Sequence, residues 1–405
     1  MKRLFLSLKT LLSNIAKRVY SRSVRILSIA ARARLPAYLI EGKEKGSREN
    51  LRALILGKDR TLSYFSELIY SGEPSKEDLG KGMIWKPLSK IRTAQKKPDL
   101  ILVEVDKFYA SIFERQKFAL LPQWIPFILD ISMSLPKIMK MIKNRSLENN
   151  LRKMSRQNYS YELTQDADKF DLFYHHMYSP YAVMRYGKSS WVFSYRHMRN
   201  LLEKGKLLLV KKDDDYQAGA LLLERGKSLF SHSIGVRDGN SQYVEQGIQT
   251  ALYYFTIIWA KERGYERIDF GYCRPFLQDG VFIYKKRWGM ALENRNRSMN
   301  LGIFALKICR FSQSVRSFLA KNPFVFIERD KVRGLILAEQ THPLTFQEVE
   351  FLMRVHYIRG IDSLVVSSPH GFVPEAREMA EARYSRLLQL VDSDEEALLD
   401  RIAKP

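Results

Sequence analysis

Short blocks of apolar residues alternate with polar turns in the middle of the chain, and they predict a sheet. Each block has the length of one strand, and the connections between successive blocks are short and polar. Such connections favour antiparallel hairpins, so the blocks predict a three-stranded meander. The blocks are Lys206–Lys212, Ala218–Glu224 and Leu229–Val236.

A helical pattern follows the meander. Apolar residues recur every three or four positions from Ile248 to Trp259, which predicts one long helix over 243–263 that ends at Gly264. The next apolar run, 267–271, predicts a strand. Because a helix separates this strand from the meander, it can lie parallel to the last meander strand.

The segment before the meander predicts one strand and two helices. The strand is expected at 159–163 and the first helix over 166–178, where Pro180 would end it. The second helix is expected over 191–204 with Gly205 as its C-cap. Together with the meander, these elements predict an α/β (α+β) domain whose mixed, mostly antiparallel sheet is flanked by helices.

The N-terminal half also follows an α/β pattern. Apolar runs predict strands at 51–56 and 99–105, and Thr61 is expected to cap a helix over 61–70. The apolar stretch 121–135 contains two prolines. This stretch is therefore expected to be irregular or a broken helix.

The C-terminal part predicts a small βαβ unit. Its strands are expected at 335–338 and 364–367, with a helix over 345–357 between them, and the tail 375–405 is expected to be helical. The length of 405 residues favours two or three domains. The predicted divisions are 1–45, 46–140, 141–310 and 311–405.

The charge of the chain indicates an anionic partner. Lysine and arginine number 67 against 44 acids, a net charge of +23. Such a surface attracts nucleic acid, anionic lipid or phosphate-bearing substrates, although a solvated basic surface without a dedicated partner is the alternative. Residues 137–156 are strongly basic, and they predict either a phosphate-facing patch on a connecting helix or a solvated helix face.

The first 40 residues carry nine basic residues and no acid, with apolar residues on or near one helical face. A basic amphipathic helix of this kind can lie on an anionic membrane surface, act as a targeting segment, or dock on the body of the protein. No segment has the ~18 consecutive apolar residues of a membrane-spanning helix. Cys273 and Cys309 are the two cysteines, which fits a reducing, cytoplasmic compartment.

Two motifs at the end of the central domain carry the strongest functional signal. The first, Gly264–Gly271, ends in the triplet Asp-Phe-Gly, and the second, Asp279–Gly289, contains Tyr-Lys followed by Trp-Gly. Preceded by Ala260, they resemble the A-x-x-x-G-x-x-x-x-D-F-G and D-G-x-x-x-F-K-x-x-W/F-G motifs of Fem-type aminoacyl transferases. The same motifs occur in GNAT-like acyltransferases of the FemAB/CelD-like group.

Upstream residues extend this resemblance over about residues 145–305. Tyr178–Tyr181 and Arg185–Gly187 resemble the M-Y-x-P-x…R-x-G stretch of the group, and Ala218–Leu221 resembles its A-G-x-L strand. The resemblance implies a GNAT-like sheet in which two central strands splay apart around the acyl donor. Because Fem-type proteins carry two copies of the fold, residues 46–140 are expected to be a reduced second copy.

The resemblance also implies a donor site around the start of the long helix. The first turn of this helix, 240–245, would offer free N–H groups to the pyrophosphate of acyl-CoA, in the simplest case acetyl-CoA. Acetyl-CoA users carry Q/R-x-x-G-x-G/A here, whereas this chain has Arg-Asp-Gly-Asn. This departure keeps an aminoacyl-tRNA donor open. The expected donor-binding residues are Gly235, Val236, Arg237, Gly239 and Asn240.

Lys285 and Asp269 are the expected catalytic residues. The family resemblance implies that Lys285 lies near the acyl centre and stabilises an oxyanion or a donor phosphate, whereas the alternative is a surface lysine. Asp269 would orient the acceptor amine or accept its proton, or it would simply cap a turn. Scattered histidines and cysteines predict no metal site. The expected substrate-binding residues are Tyr178, Tyr181, Arg185 and Trp288.

Three functions fit these observations. The first is transfer of an acyl group from acyl-CoA to an amine or hydroxyl of a cell-envelope or polysaccharide precursor. The second is Fem-type transfer of an amino acid from charged tRNA to a peptidoglycan precursor. The third is a non-catalytic basic binding protein on the same scaffold. Each places the protein in the cytoplasm, with the inner face of the membrane as a peripheral location if residues 1–40 bind lipid.

Overall fold

Strands make up two sheets in the computed structural model, which describes residues 34–83, 97–142, 145–187, 190, 192–293, 302–329 and 331–392. The amphipathic helix expected near the N-terminus lies outside these residues. The described strands are β1 (Arg34–Lys43), β2 (Asn50–Leu56), β3 (Ser75–Met83), β4 (Leu100–Val105), β5 (Ala119–Pro122), β6 (Ile125–Asp130), β7 (Tyr159–Thr164), β8 (Gly205–Lys212), β9 (Asp215–Arg225), β10 (Ser228–Val236), β11 (Arg267–Cys273), β12 (Ala291–Leu292), β13 (Ile303–Ile308), β14 (Phe324–Glu328), β15 (Lys331–Leu337), β16 (Ser363–Ser368) and β17 (Leu388–Asp392).

Helices cover both sheets. None of the helices in the described ranges has the length and apolar character needed to cross a bilayer. The α-helices are α1 (Asp59–Ile69), α2 (Ala110–Arg115), α3 (Leu135–Met141), α4 (Arg145–Ser155), α5 (Ala167–Phe173), α6 (Ser179–Tyr186), α7 (Tyr195–Leu202), α8 (Ser241–Glu245), α9 (Ile248–Glu262), α10 (Gly280–Arg287), α11 (Gln313–Lys321), α12 (Phe346–His356) and α13 (Pro374–Tyr384).

The central sheet has seven strands in the order β12-β6-β11-β10-β9-β8-β7. Its strands pair antiparallel except for β10 and β11, which are parallel. The three meander strands and the parallel strand after the long helix are thus confirmed, as is a mixed, mostly antiparallel sheet flanked by helices.

The second sheet has ten strands in the order β17-β16-β15-β14-β5-β13-β4-β2-β1-β3. It combines strands from the predicted segments 46–140 and 311–405 with β13 from the predicted segment 141–310, and its first strand lies inside the predicted segment 1–45. The predicted boundaries therefore do not coincide with the sheets. Within this sheet, β15, α12 and β16 form the expected parallel βαβ unit. A second GNAT-like copy in the N-terminal half stays a prediction.

The stretch 121–135 was predicted wrongly as irregular or broken helix. It contains the end of β5, all of β6 and the start of α3. Pro122 ends β5, and Pro126 lies where β6 meets an irregularity in its pairing with β11. A strand tolerates proline at its end or beside a bulge, so neither residue prevents pairing.

Helix boundaries account for most of the other corrections. The helix expected to end at Pro180 continues through a π-helical turn, Tyr174–Tyr178, into α6, because proline is tolerated in the first turn of a helix. The long helix is split into α8 and α9 by Gly247, which has a φ of 92°. The segment expected to be helical over 191–204 forms the shorter α7, and Gly205 begins β8 instead of capping the helix.

Two further expectations were wrong in detail. The helix expected over 61–70 begins at Asp59 with Lys58 as its N-cap, and the Thr61 hydroxyl instead donates to a Glu104 carboxylate oxygen at 2.7 Å. Within the described part of the expected helical tail, α13 ends at Tyr384 and β17 then adds a parallel strand at the sheet edge, while residues 393–405 lie outside the described residues.

Candidate functional site

The central parallel strands separate after three paired positions. β10 and β11 pair from Ser228 opposite Arg267 to Phe230 opposite Asp269, whereas β10 remains paired with β9 as far as Val236. Beyond Phe230, the facing edges of β10 and β11 leave a gap. This is the splayed pair that the motif resemblance implied.

A bend in β11 explains the separation. Gly271 has a φ of 71°, a left-handed conformation that glycine adopts without strain. Its N–H donates to the Asp269 carboxylate at 2.8 Å, and the pairing of β11 with β6 changes register between Asp269 and Tyr272. Asp269 is buried, and its other carboxylate oxygen lies 4.0 Å from the Arg225 guanidinium. The predicted catalytic acid thus has a structural task, which is to hold the bend.

Lys285 lies beside this gap. It occupies α10, whose first turn is capped by the Asp279 carboxylate, and its side chain is 2% exposed. Its ammonium group donates to the Tyr272 carbonyl oxygen at 3.0 Å and lies 5.3 Å from the Phe127 ring centroid. Among the described residues no carboxylate lies within ion-pair distance of this ammonium. Burial lowers the pKa of Lys285 to about 8.

The neighbouring Lys286 has a different task. Its ammonium group donates to the carbonyl oxygens of Arg354 and Val355, the former at 3.2 Å, and so it satisfies the C-terminal end of α12. Burial also lowers its pKa to about 8. Of these two adjacent lysines, Lys285 therefore lies at the gap and Lys286 binds the end of a helix.

An aromatic wall lies on the same side of the sheet as Lys285. The Tyr253 ring stacks on Phe270 at 4.5 Å between centroids, and Trp288 packs 5.6 Å from Tyr253. Trp288 has no exposed surface, so it supports this wall from behind. The Tyr284 hydroxyl lies 3.4 Å from the Thr250 hydroxyl, and burial raises the pKa of Tyr284 to about 12.

Arg185 and Tyr181 complete this side of the site. The Arg185 guanidinium donates to the Tyr181 hydroxyl at 2.7 Å, and the Tyr181 ring is buried. The positive charge of Arg185 is close enough to contribute to the lowered pKa of Lys285, after the larger effect of burial. The structure therefore brings together four residues expected at the site, namely Tyr181, Arg185, Lys285 and Asp269, since the Asp269 carboxylate also acts on the pKa of Lys285 by raising it.

The two glycines expected in the donor loop are used to pack backbones closely. A Cβ on Gly235 would lie 2.5 Å from the carbonyl carbon of Met177 and from the amide nitrogen of Tyr178. A Cβ on Gly239, which has a φ of 64°, would lie 3.1 Å from the carbonyl oxygen of Pro180. These glycines allow the π-helical turn and α6 to lie directly against β10 and the loop that follows it.

The polar groups of the same loop are also engaged. Arg237 donates to the Asp215 carboxylate at 2.7 Å and to the Tyr216 carbonyl at 3.1 Å. Asn240 caps α8, which has five residues, and Val236 is buried. The helix start expected to hold a pyrophosphate is therefore a single short turn that ends at the kink.

Tyr178 lies on the other side of β10 from Lys285. Its ring is buried, and its hydroxyl accepts a hydrogen bond from the Phe193 N–H at 2.9 Å. Tyr178 thus anchors the segment before α7.

His232 and Ser233 lie at the gap, although no sequence motif indicates them. They follow Phe230, where the pairing of β10 and β11 stops, and the Nδ1 atom of His232 lies 2.6 Å from the Ser233 hydroxyl. Burial lowers the pKa of His232 to about 4, with the charges of His197 and Arg225 adding to the effect. A histidine between two serines in an otherwise apolar strand was the available signal. No group of three or more metal-ligating side chains occurs in the described part of the chain.

Comparison with known proteins agrees with this geometry. Residues 143–286 match the model of the acetyltransferase (GNAT) domain family. This part of the chain is therefore a GNAT-like transferase domain, as the motif resemblance predicted. No curated protein matches the sequence.

Several solved structures are similar to parts of this chain at low sequence identity. FemX is 14% identical over 66% of this chain and 83% of its own, with a TM-score of 0.35. L-PGS from Bacillus licheniformis is 9% identical over 70% and 84%, with a TM-score of 0.33. A GCN5-related N-acetyltransferase from Sphaerobacter thermophilus is 11% identical over 63% and 71%, with a TM-score of 0.30. Likenesses at this level carry no inference about substrate.

Proposed function

We propose that this protein transfers an acyl group from acyl-CoA to an amine or hydroxyl of a cell-envelope or polysaccharide precursor. The observation that carries the proposal is Lys285, a buried ammonium beside the gap between β10 and β11 with no carboxylate partner among the described residues. A buried cation with no carboxylate within ion-pair distance is costly; the more distant Asp269 and Asp279 carboxylates offset part of that cost, and an anion bound in the site would offset more.

Acyl transfer supplies such an anion. When the acceptor attacks the acyl carbon, negative charge develops on the carbonyl oxygen before the bond to the donor sulfur breaks. An ammonium held in a water-poor site stabilises this charge more strongly than it would in water. The single hydrogen bond of Lys285 to the Tyr272 carbonyl leaves further N–H donors for the oxygen.

His232 is our candidate for the group that accepts the proton of the acceptor. Its imidazole lies on β10, two residues after the last position paired with β11, and its pKa of about 4 keeps it neutral, and so able to accept a proton, across the neutral and mildly acidic pH range. Asp269 fits this role less well, because its carboxylate already accepts from the Gly271 N–H and lies 4.0 Å from Arg225.

Calorimetric titration with acetyl-CoA tests the proposal. We expect saturable binding by the wild type, together with release of free CoA when a suitable amine acceptor is added. Lys285→Met should abolish release, whereas Lys286→Met should retain it, because Lys286 caps α12 instead of facing the gap. Equal activity of the wild type and Lys285→Met would reject the proposed role of Lys285.

An aminoacyl-tRNA donor is the second candidate. The loop expected to bind the pyrophosphate of acyl-CoA suits that group poorly, because Arg237 is paired with Asp215 and α8 has five residues. The net charge of +23 also favours a tRNA donor. A tRNA donor predicts binding that weakens steeply with salt, because bound phosphates release counterions. Salt-steep binding of charged tRNA without any response to acetyl-CoA would select this donor. Binding of neither would favour a non-catalytic binding protein.

A further inference from the structure

Helices α3 and α4 carry exposed cations that the transfer site does not use. Two lie on α3, two on α4 and one directly after α4, and all five are exposed. None of them forms an ion pair or a side-chain hydrogen bond with another described residue. Glu148 is the one acid in these two helices. The cations are Lys137, Lys140, Arg152, Lys153 and Arg156.

An apolar cavity opens between the same two helices. It has a volume of about 330 Å³ and is lined by Met139, Ile142 and Leu151, with Lys140 and Glu148 at its polar part. This volume is at the lower end of the roughly 300–1,000 Å³ typical of ligand pockets. The cations therefore surround an apolar opening, which a purely solvated helix face does not require.

We propose that α3 and α4 bind an anionic phospholipid at a membrane surface, with the phosphate against the cations and part of one acyl chain in the cavity. The cations provide long-range attraction to an anionic leaflet, which falls off within a Debye length. The cavity provides the apolar contact that distinguishes a lipid from a nucleic acid, whose phosphates would use the cations alone.

The position of α4 connects this surface to the site. A Cβ on Gly247 would lie 3.2 Å from the amide nitrogen of Met154 and 3.3 Å from the carbonyl oxygen of Asn150, so α4 lies directly against the kink between α8 and α9. Because α9 joins the two splayed strands, a lipid on α3 and α4 would hold the start of this helix close to the membrane. The proposal concerns binding alone and does not depend on the identity of the donor.

Vesicle co-sedimentation of the full chain tests the proposal. The vesicles contain either phosphatidylcholine alone or an equimolar mixture with phosphatidylglycerol. We expect binding to the anionic vesicles, and we expect Arg152→Glu with Lys153→Glu to weaken it roughly tenfold or more, since each basic residue near the surface contributes about a factor of five. The matched control, Lys81→Glu with Arg115→Glu, reverses two exposed cations on β3 and α2, away from the two helices, and should change binding less than about threefold.

A cavity variant separates lipid binding from general attraction. Met139→Trp keeps every charge and fills the opening, so it should weaken binding to anionic vesicles in high salt, where the electrostatic contribution is screened. Far-UV circular dichroism checks that each variant is folded. The proposal would be overturned if Arg152→Glu with Lys153→Glu weakened vesicle binding no more than Lys81→Glu with Arg115→Glu. It would also be overturned if Met139→Trp bound the vesicles as well as the wild type. If tRNA displaces the protein from anionic vesicles and Met139→Trp does not change vesicle binding, the cations would be assigned to RNA instead.

Discussion

The buried ammonium of Lys285 has an energetic cost that depends on pH. Below pH 8 its ammonium is charged in both the folded and the unfolded state, so folding includes the full cost of burying the charge. Because the pKa falls from its usual 10.5 to about 8 on folding, the folded protein releases this proton first as pH rises. The cost therefore declines above pH 8.

Lys285→Met should consequently stabilise the protein while it abolishes transfer. At pH 7 we expect a gain in the free energy of unfolding on the order of 1–3 kcal/mol. The gain should shrink as pH rises from 8 towards 10. Denaturant titrations at several pH values measure this difference. A variant less stable than the wild type at pH 7 would show that the lysine has a structural task.

His232 should make the fold sensitive to acid. Its folded-state pKa is about 4 against 6.5 for an unperturbed histidine, so between these values the unfolded chain takes up a proton that the folded chain refuses. Stability should fall as pH decreases from 6.5 to 4, and His232→Gln should reduce that fall. His370→Gln, at an exposed position, is the control. Parallel pH profiles for His232→Gln and wild type would contradict a partly buried imidazole that stays neutral in the folded protein.

Residue roles were only partly predictable from the sequence. Lys285 and Arg185 could be singled out because each belongs to a stretch that resembles a family motif, and their part in catalysis stays a prediction. Gly235 was expected to approach a ligand, yet it approaches the backbone of the π-helical turn. A glycine in the sequence indicates that another group can approach the backbone closely, but it does not indicate whether that group is a ligand or another part of the chain. His232 has no motif around it, so its burial became visible only once β10 and the segment before α7 were placed together.

At the scale of the element, close packing at Gly235 of β10 positions the elements around the gap. Gly235 lets the π-helical turn lie against the strand that borders the gap, and Tyr178 in that turn anchors the segment before α7. The strands of this region were predictable from their apolar runs. The kink at Gly247 was not, because its cause is the packing of α4, which lies far away in sequence.

Gly235→Ala should therefore be strongly destabilising. A new Cβ would lie 2.5 Å from two backbone atoms that cannot rotate away, and we expect a loss of about 1–3 kcal/mol or more in the free energy of unfolding. Gly72→Ala is the matched control, because a Cβ at that position would meet no atom within 4 Å and the backbone there is unstrained. Chemical denaturation compares the two variants. Similar losses in both would show that the crowding around Gly235 can be relieved.

At the scale of the whole molecule, one apolar core connects the two sheets. The same cluster contains Phe127 and Ile268 from the central sheet and Val325, Ile336 and Leu364 from the ten-stranded sheet. Backbone hydrogen bonds also cross between them, for example from the Leu277 N–H to the Pro323 carbonyl at 2.7 Å. The sheets therefore behave as parts of one packed body.

The shared core predicts a single unfolding transition for the described body. Far-UV circular dichroism and tryptophan fluorescence should give coincident denaturation curves, since Trp259 and Trp288 report on a core to which both sheets contribute. Two separated transitions would contradict this expectation. The sequence-based division into consecutive domains missed the shared core, because pairing between β5 and β14 joins residues some two hundred positions apart.

The order of strands has a consequence for synthesis on the ribosome. β6, from residues 125–130, lies between β11 and β12 of the central sheet, and β5 lies between β13 and β14 of the other. Both strands leave the ribosome long before their partners. The emerging N-terminal half must therefore wait with unpaired strand edges exposed, which is the condition under which chains aggregate or recruit chaperones. Such long-range pairing also favours slow folding, so the speed of translation and the supply of chaperones should govern how much active protein a cell obtains.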